Sequence, residues 1–184
     1  RGAYKLIHAI EKFKIDIKNK ICLDLGSSTG GFTQVLLEKK AKKIYSIDVG
    51  TNQLHEKLKE EKKIIFFEKT NARYLDSSII KESVDIIVCD VSFISMKKVI
   101  EPNICFLKKN NGLIIGLIKP QFEATKSEIK KGGVVFDESV HKRICIDFKD
   151  WFKTNLNMNF IGLIESPIKG PKGNSEFLIA VKNF

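Results

Sequence analysis

No stretch of this 184-residue sequence stays apolar for long. The longest run that matters, Gly112–Ile118, falls far short of the ~20 residues a membrane helix needs, so membrane insertion is not expected. The opening residues lack the pattern of a secretory signal. They also lack methionine: the sequence begins at Arg1 and is expected to be a piece of a longer protein. Cysteine is scarce. Cys22, Cys89, Cys105 and Cys145 form no C-x-x-C pair, and most stand inside apolar runs. That favours small buried hydrophobes in a reducing, cytoplasmic compartment over disulfides. No metal site is expected. Internal repeats and low-complexity linkers are missing too, which at this length leaves one globular domain over residues 1–184.

Apolar residues make up 43% of the chain, enough for a sizeable core and too many for general disorder. The net charge is +10, which suggests an anionic partner. All but three of the 32 basic residues are lysine. An AT-rich genome would produce the same bias, so charge alone does not decide for nucleic acid.

The periodicity predicts a helix over Tyr4–Phe13 and a buried strand over Lys20–Leu25 that runs into a glycine loop. Next come a helix over Phe32–Lys39, a strand over Lys43–Ile47, a helix over Gln53–Glu60 and a strand over Ile64–Glu68. Val84–Asp90 reads as a fourth strand. Met96–Lys108 reads as a helix weakened by Pro102, and Leu113–Ile118 as a fifth strand. A long amphipathic helix over Ser139–Asn155 precedes two last strands, Phe160–Ile164 and Phe177–Val181. This alternation is that of an α/β protein with a mostly parallel sheet covered by helices on both faces. The short connection between the last two strands makes them antiparallel. Seven strands with the last inserted antiparallel is the Rossmann-like, class I methyltransferase pattern. Ligands in such sheets bind beyond the carboxyl ends of the strands, where Asp24, Asp48, Asp90 and Lys119 are expected.

The loop L-D-L-G-S-S-T-G-G-F (Leu23–Phe32) does not have the G-x-G-x-x-G spacing of a dinucleotide fold. Asp24 is expected at its mouth, where a carboxylate would repel a pyrophosphate and attract a cation such as S-adenosylmethionine (SAM). Asp48, about twenty residues on, suits two ribose hydroxyls. The candidate cofactor set is Asp24, Gly26, Ser27, Ser28, Thr29, Gly30, Gly31, Phe32, Asp48, Val49, Asn71, Ala72 and Asp90, with Asn71-Ala72 placed for an adenine. A nicotinamide, a flavin or an unliganded turn are the other readings of the loop, and a plain strand-end turn is the other reading of Asp48.

The residues after the fourth strand narrow the choice of methyl acceptor. Asp90-Val91-Ser92-Phe93 lacks the prolines of the Asn/Asp-Pro-Pro-aromatic motif that shapes base-amine sites. Cys89 should point into the core, which argues against a cytosine C5 nucleophile. A sugar hydroxyl is protonated at neutral pH and needs a base or cation beside it. Lys119, at the end of strand five, should neighbour Asp90 at the end of strand four. Desolvation favours a neutral lysine and an adjacent aspartate a charged one, so the aspartate's part is orientation. A surface ion pair is the plain alternative.

R-G-A-Y-K-L, D-L-G-S-S-T-G-G-F, D-V-S-F-I-S, L-I-K-P-Q-F-E, G-G-V-V and S-P-I-K-G-P-K-G-N-S-E-F-L together resemble the TlyA family, across essentially the whole chain. These are ribosomal RNA 2′-O-methyltransferases with an FtsJ-like catalytic domain, also labelled hemolysins. The resemblance implies a Lys-Asp-Lys-Glu tetrad of Lys5, Asp90, Lys119 and Glu176. In it Lys119 activates the 2′-hydroxyl, Asp90 positions it, and Lys5 and Glu176 form a supporting pair. It also implies SAM as cofactor, ribosomal RNA or ribosomal subunits as partners, and an S4-type RNA-binding domain before residue 1, absent from this chain. Lys126, Lys130, Lys131, Lys169 and Lys172 would meet phosphates, with a plain solvated lysine as the alternative at each. Against the enzyme stand a cytolysin, for which no membrane span or barrel pattern is present, and an idle RNA-binding module, against which the four-residue set argues.

Overall fold

A computed structural model describes residues 1–184. Seven strands form one sheet: β1 (Ile21–Leu25), β2 (Lys43–Ile47), β3 (Ile64–Phe67), β4 (Ile86–Cys89), β5 (Leu113–Ile118), β6 (Asn159–Glu165) and β7 (Phe177–Lys182). Their order is β3-β2-β1-β4-β5-β7-β6. β1 to β5 are parallel, and β7 lies antiparallel between β5 and β6. The chain thus winds outward from β1 to β3, then crosses to β4. The gap between β1 and β4 is the switch point at which open α/β sheets bind ligands.

Side chains alternate between the two faces along each strand. Ile87 and Cys89 of β4 join one core, with Val99 and Ile100 of helix α4 (Met96–Asn103) and Phe148 and Phe152 of α5 (Glu138–Leu156). Ile86 and Val88 join the other, with Leu6 and Ile10 of α1 (Gly2–Phe13) and Val35 and Leu36 of α2 (Gly31–Glu38). Two-sided burial explains why β4 reads as an unbroken apolar run. No helix is long and apolar enough to cross a membrane.

Several expected boundaries move. The Gln53–Glu60 helix shrinks to α3 (Glu56–Lys59), started by His55. The Met96–Lys108 helix ends at Asn103 and tightens into a 3-10 turn over Ile104–Phe106, because Pro102 supplies no N–H to the helical ladder. The fourth strand begins at Ile86 rather than Val84. Asp85 is drawn out of it, accepting Ile21 N at 2.8 Å and Lys108 Nζ at 2.7 Å. Cys22, Cys89 and Cys145 are buried, and Cys105 is exposed.

Candidate methyl-transfer site

The glycine loop is fastened before any ligand is considered. Gly26 and Ser27 both donate their N–H to the Ile47 carbonyl, at 2.9 and 3.0 Å. Gly26 sits at φ +82°, and a Cβ there would overlap the backbone carbonyl of Asp90. Glycine is therefore required twice, for the left-handed turn and for the close crossing over β4. Asp48, just past β2, accepts Ser28 N and Gly50 N, each at 2.7 Å. The loop and the tips of β2 and β4 are one unit.

Two clefts open around it. The larger, about 320 Å³, is lined by Gly26, Ser28, Asp48, Val49, Asn71, Ala72 and Asp90, and by Thr70, Arg73, Ser92 and Phe93 among others. The smaller, about 120 Å³, is lined by Arg1, Gly2, Gly26, Ser27, Ser28, Thr29, Gly31, Phe32 and Asp90. Gly26, Ser28 and Asp90 border both. Gly30 lines neither; it packs against Leu54 and Leu58. Asn71 starts the 3-10 turn Ala72–Tyr74 by accepting Arg73 N at 3.0 Å, which sets the wall of the larger cleft.

Asp24 lies elsewhere than its position in the loop motif suggests. β1 continues through Leu25, so Asp24 shares a face with Cys22 and points beneath α2. Its carboxylate is fully buried and lines neither cleft. It accepts Thr33 Oγ1 at 2.6 Å, and Thr33 in turn pairs with Ser46 at 2.7 Å. Oδ1 has no partner. Burial, reinforced by Asp90 and Asp48 and opposed by the Thr33 hydroxyl, pushes this carboxyl up to about 7.

Two ion pairs stand near the clefts, one of them holding Asp90. Lys119 Nζ stands 2.6 Å from Asp90 Oδ1. The approach lies outside hydrogen-bond directions, so it is an electrostatic contact. Lys119 Nζ instead donates to Ser92 Oγ at 2.9 Å. Lys5 Nζ donates to Glu176 Oε2 at 2.6 Å, with the Glu176 side chain wholly buried. β7 runs antiparallel to β5, so its first residues lie at the sheet end where β4 and β5 finish. Chain topology therefore brings Lys5, Asp90, Lys119 and Glu176 to the same end of the molecule. Cys89 is buried, and its thiol is pushed far above its usual range chiefly by burial.

Comparison with known proteins gives the chain's family. The pattern defining the FtsJ-like methyltransferases matches residues 1–183. The chain belongs to the FtsJ-like methyltransferase family. It is 38% identical over 179 residues to the 16S/23S rRNA (cytidine-2′-O)-methyltransferase TlyA of Mycobacterium tuberculosis, covering 97% of this chain and 66% of that protein. The chain thus spans just under two thirds of that relative. A Lactococcus lactis protein solved under the name hemolysin superposes over all of this chain and 88% of its own, with a TM-score of 0.94 and 39% identity. Aeropyrum pernix fibrillarin, solved with natively bound SAM, covers 98% of this chain and 76% of its own at a TM-score of 0.64 and 16% identity, a likeness of fold alone.

In this FtsJ-like domain some side chains at the site escape sequence reasoning. Ser92 and Gln121 sit inside the motifs D-V-S-F and K-P-Q-F-E, but nothing in their spacing marks them. Ser92 meets the Lys119 amine, and Gln121 Nε2 meets Glu176 Oε1 at 3.1 Å. Glu123 of the same motif caps α4, accepting Met96 N at 2.8 Å, and burial raises its carboxyl. Lys126, Lys130, Lys131, Lys169 and Lys172 are all exposed. Asn174 ties their two loops together, donating to Gly133 O at 3.0 Å and accepting Val135 N at 3.1 Å. Lys169 is already engaged by Glu165 at 2.9 Å and Ser175 at 2.6 Å; the rest of the set shows no such ties.

Proposed function

We propose that this domain performs SAM-dependent 2′-O-methylation of ribose in ribosomal RNA. The observation that carries the reading is the placing of two ion pairs, Lys119–Asp90 and Lys5–Glu176, at the same end of the sheet, with Asp90 bordering both clefts. The family and the rRNA methyltransferase among the relatives support it.

The cleft residues fit the cofactor. Asp48 keeps lone pairs for ribose hydroxyls beyond the two N–H bonds it accepts. Asn71 and Ala72 wall the larger cleft for a base, and Ser27 Oγ, buried without a partner at the smaller cleft, suits the polar amino-acid end. Nearby carboxylates favour a cationic ligand over a pyrophosphate. When bound, SAM supplies an electrophilic methyl group. Lys119 would face the 2′-hydroxyl and, having first given a proton to solvent, would accept the hydroxyl's proton at Nζ. Asp90 holds the amine in line, and Ser92 fixes its rotamer. Lys5 and Glu176 hold the target nucleotide. Lys126, Lys130, Lys131 and Lys172 meet RNA phosphates, with Lys169 a weaker contributor. An S4-type domain before residue 1 would add RNA affinity, and the whole protein would work on ribosomal subunits in the cytoplasm.

The test is transfer of labelled methyl from SAM to isolated ribosomal subunits by the full-length protein, with the modified nucleotide mapped. The expected product is a single 2′-O-methylated nucleotide. A label on a base, or none, overturns the reading.

A further inference from the structure

The buried carboxylate of Glu176 is seated from three sides, and only one of them carries charge. Lys5 holds Oε2 at 2.6 Å. Gln121 Nε2 donates to Oε1 at 3.1 Å. Gly170 closes the third side, for a Cβ there would overlap Oε1. Its φ of −73° is open to any residue, so this glycine supplies room and not backbone freedom.

Gln121 is 8% exposed. A carboxylate only accepts hydrogen bonds, so the amide must turn its nitrogen toward Glu176. That leaves Gln121 Oε1 buried without a partner, which is destabilising. An apolar side chain of the same volume would avoid that cost only by leaving the buried Glu176 Oε1 without this donor, so the amide's work is on the carboxylate. Its neighbours in sequence bear on that work. Lys119 begins the short 3-10 turn Pro120–Phe122, and Gln121 lies within it. One turn therefore carries both the amine beside Asp90 and the amide on Glu176.

We propose that Gln121 is a positioning residue for methyl transfer: it fixes Glu176, and through it Lys5, in register with the Lys119–Asp90 pair. The proposal rests on the reading of these pairs as methyl-transfer machinery. Without the amide, the carboxylate turns on its single remaining partner. Placement of the target nucleotide then fails while the cofactor clefts stay intact.

The experiment uses the full-length protein, with ribosomal subunits as substrate, SAM binding measured by calorimetry, and melting temperature recorded for each variant. Gln121→Met keeps the volume and removes both the donor and the orphaned oxygen. Its kcat, read well below the melting transition, should fall tenfold or more with SAM affinity within about twofold of wild type, while the melting temperature drops by several degrees as Glu176 Oε1 loses its donor. Gln121→Glu sets a second carboxyl against Glu176. While the pair shares a proton, the introduced carboxyl donates in place of the amide. This variant should work near the wild-type rate at pH 6 and lose rate as pH rises and the shared proton leaves, whereas the wild type does not fall over that range. A merely structural glutamine would move melting temperatures and leave the pH profile of the folded enzyme alone. Wild-type kcat in Gln121→Met, or a Gln121→Glu profile parallel to wild type, overturns the proposal. Should Gln121→Met fail to fold, the Gln121→Glu profile decides. A wild-type protein that transfers no methyl sinks the functional reading and this proposal with it; an active wild type with unaffected variants sinks this proposal alone.

Discussion

Asp48 Oδ2 accepts the backbone N–H of Ser28 at 2.7 Å, so the carboxylate proposed for the cofactor ribose is also the clasp of the glycine loop. The two duties make Asp48→Ala doubly costly. Hydrogen bonds to a charged group contribute roughly 1.5–3 kcal/mol each. SAM affinity should drop at least tenfold by calorimetry, and amide exchange at Ser28 should quicken. Unchanged affinity would remove Asp48 from the ribose site.

Lys119→Ala should separate binding from chemistry. The amine lines neither cleft, so SAM binding should persist within a few-fold. Methyl transfer in single turnover should fall by about 10³ or more, in the range typical of lost acid–base groups. Full activity in this variant would mean that another group activates the hydroxyl.

Asp24 makes a pH prediction of opposite sign to that of an ordinary ion-paired aspartate. Its carboxyl titrates at about 7 in the fold and near 3.9 when unfolded. Between those values the folded chain binds more protons than the unfolded one. Stability from this group is therefore full below about pH 4, falls as pH rises toward 7, and levels off above. Asp24→Asn should flatten that slope. Urea unfolding at pH 5 and pH 8 checks it: the asparagine variant should gain on wild type at the higher pH.

Gly170→Ala forces a methyl group into Glu176 Oε1. Overpacking of this kind costs about 1–3 kcal/mol, a fall of several degrees in melting temperature for a domain of this size. Methyl transfer should fall with it, because the carboxylate must leave its seat. An alanine variant as stable and active as wild type would show that the loop shifts freely.

Salt dependence should sort the rim lysines. Each lost phosphate contact lowers the slope of log affinity against log salt by roughly 0.7–0.9. Lys126→Ala, Lys130→Ala, Lys131→Ala and Lys172→Ala should each lower it when RNA binding is titrated at several salt concentrations. Lys169→Ala should change it less, since that amine already serves Glu165 and Ser175.

The strands are legible in the sequence because burial on both faces leaves runs such as Ile86–Cys89 nothing but apolar residues. The nearness of Lys119 to Asp90 is legible too, since neighbouring parallel strands end side by side. Helix ends are harder: Gln53–Glu60 reads as a helix, yet Leu54 packs under Gly30 outside the short helix Glu56–Lys59. The loop motif misplaces Asp24 for a local reason. Asp24 is an interior residue of β1, one before its end at Leu25, so it faces the core with Cys22 and not the loop's mouth. Lys5 and Glu176 lie 171 residues apart, and no periodicity connects such positions; only the family resemblance names them together. Gln121 stays hidden because its worth depends on a carboxylate that arrives from a distant strand.

That distance has a consequence for biosynthesis. The insertion of β7 beside β5 means that the partner of a residue in α1 is translated 171 residues after it. At about 5–20 residues per second, Lys5 waits roughly ten seconds or more for its counter-ion. A nascent chain that stops before residue 176 lacks both β7 and the carboxylate that holds Lys5 and Gln121, so the first helix and the turn after β5 are without their shared anchor until that strand arrives.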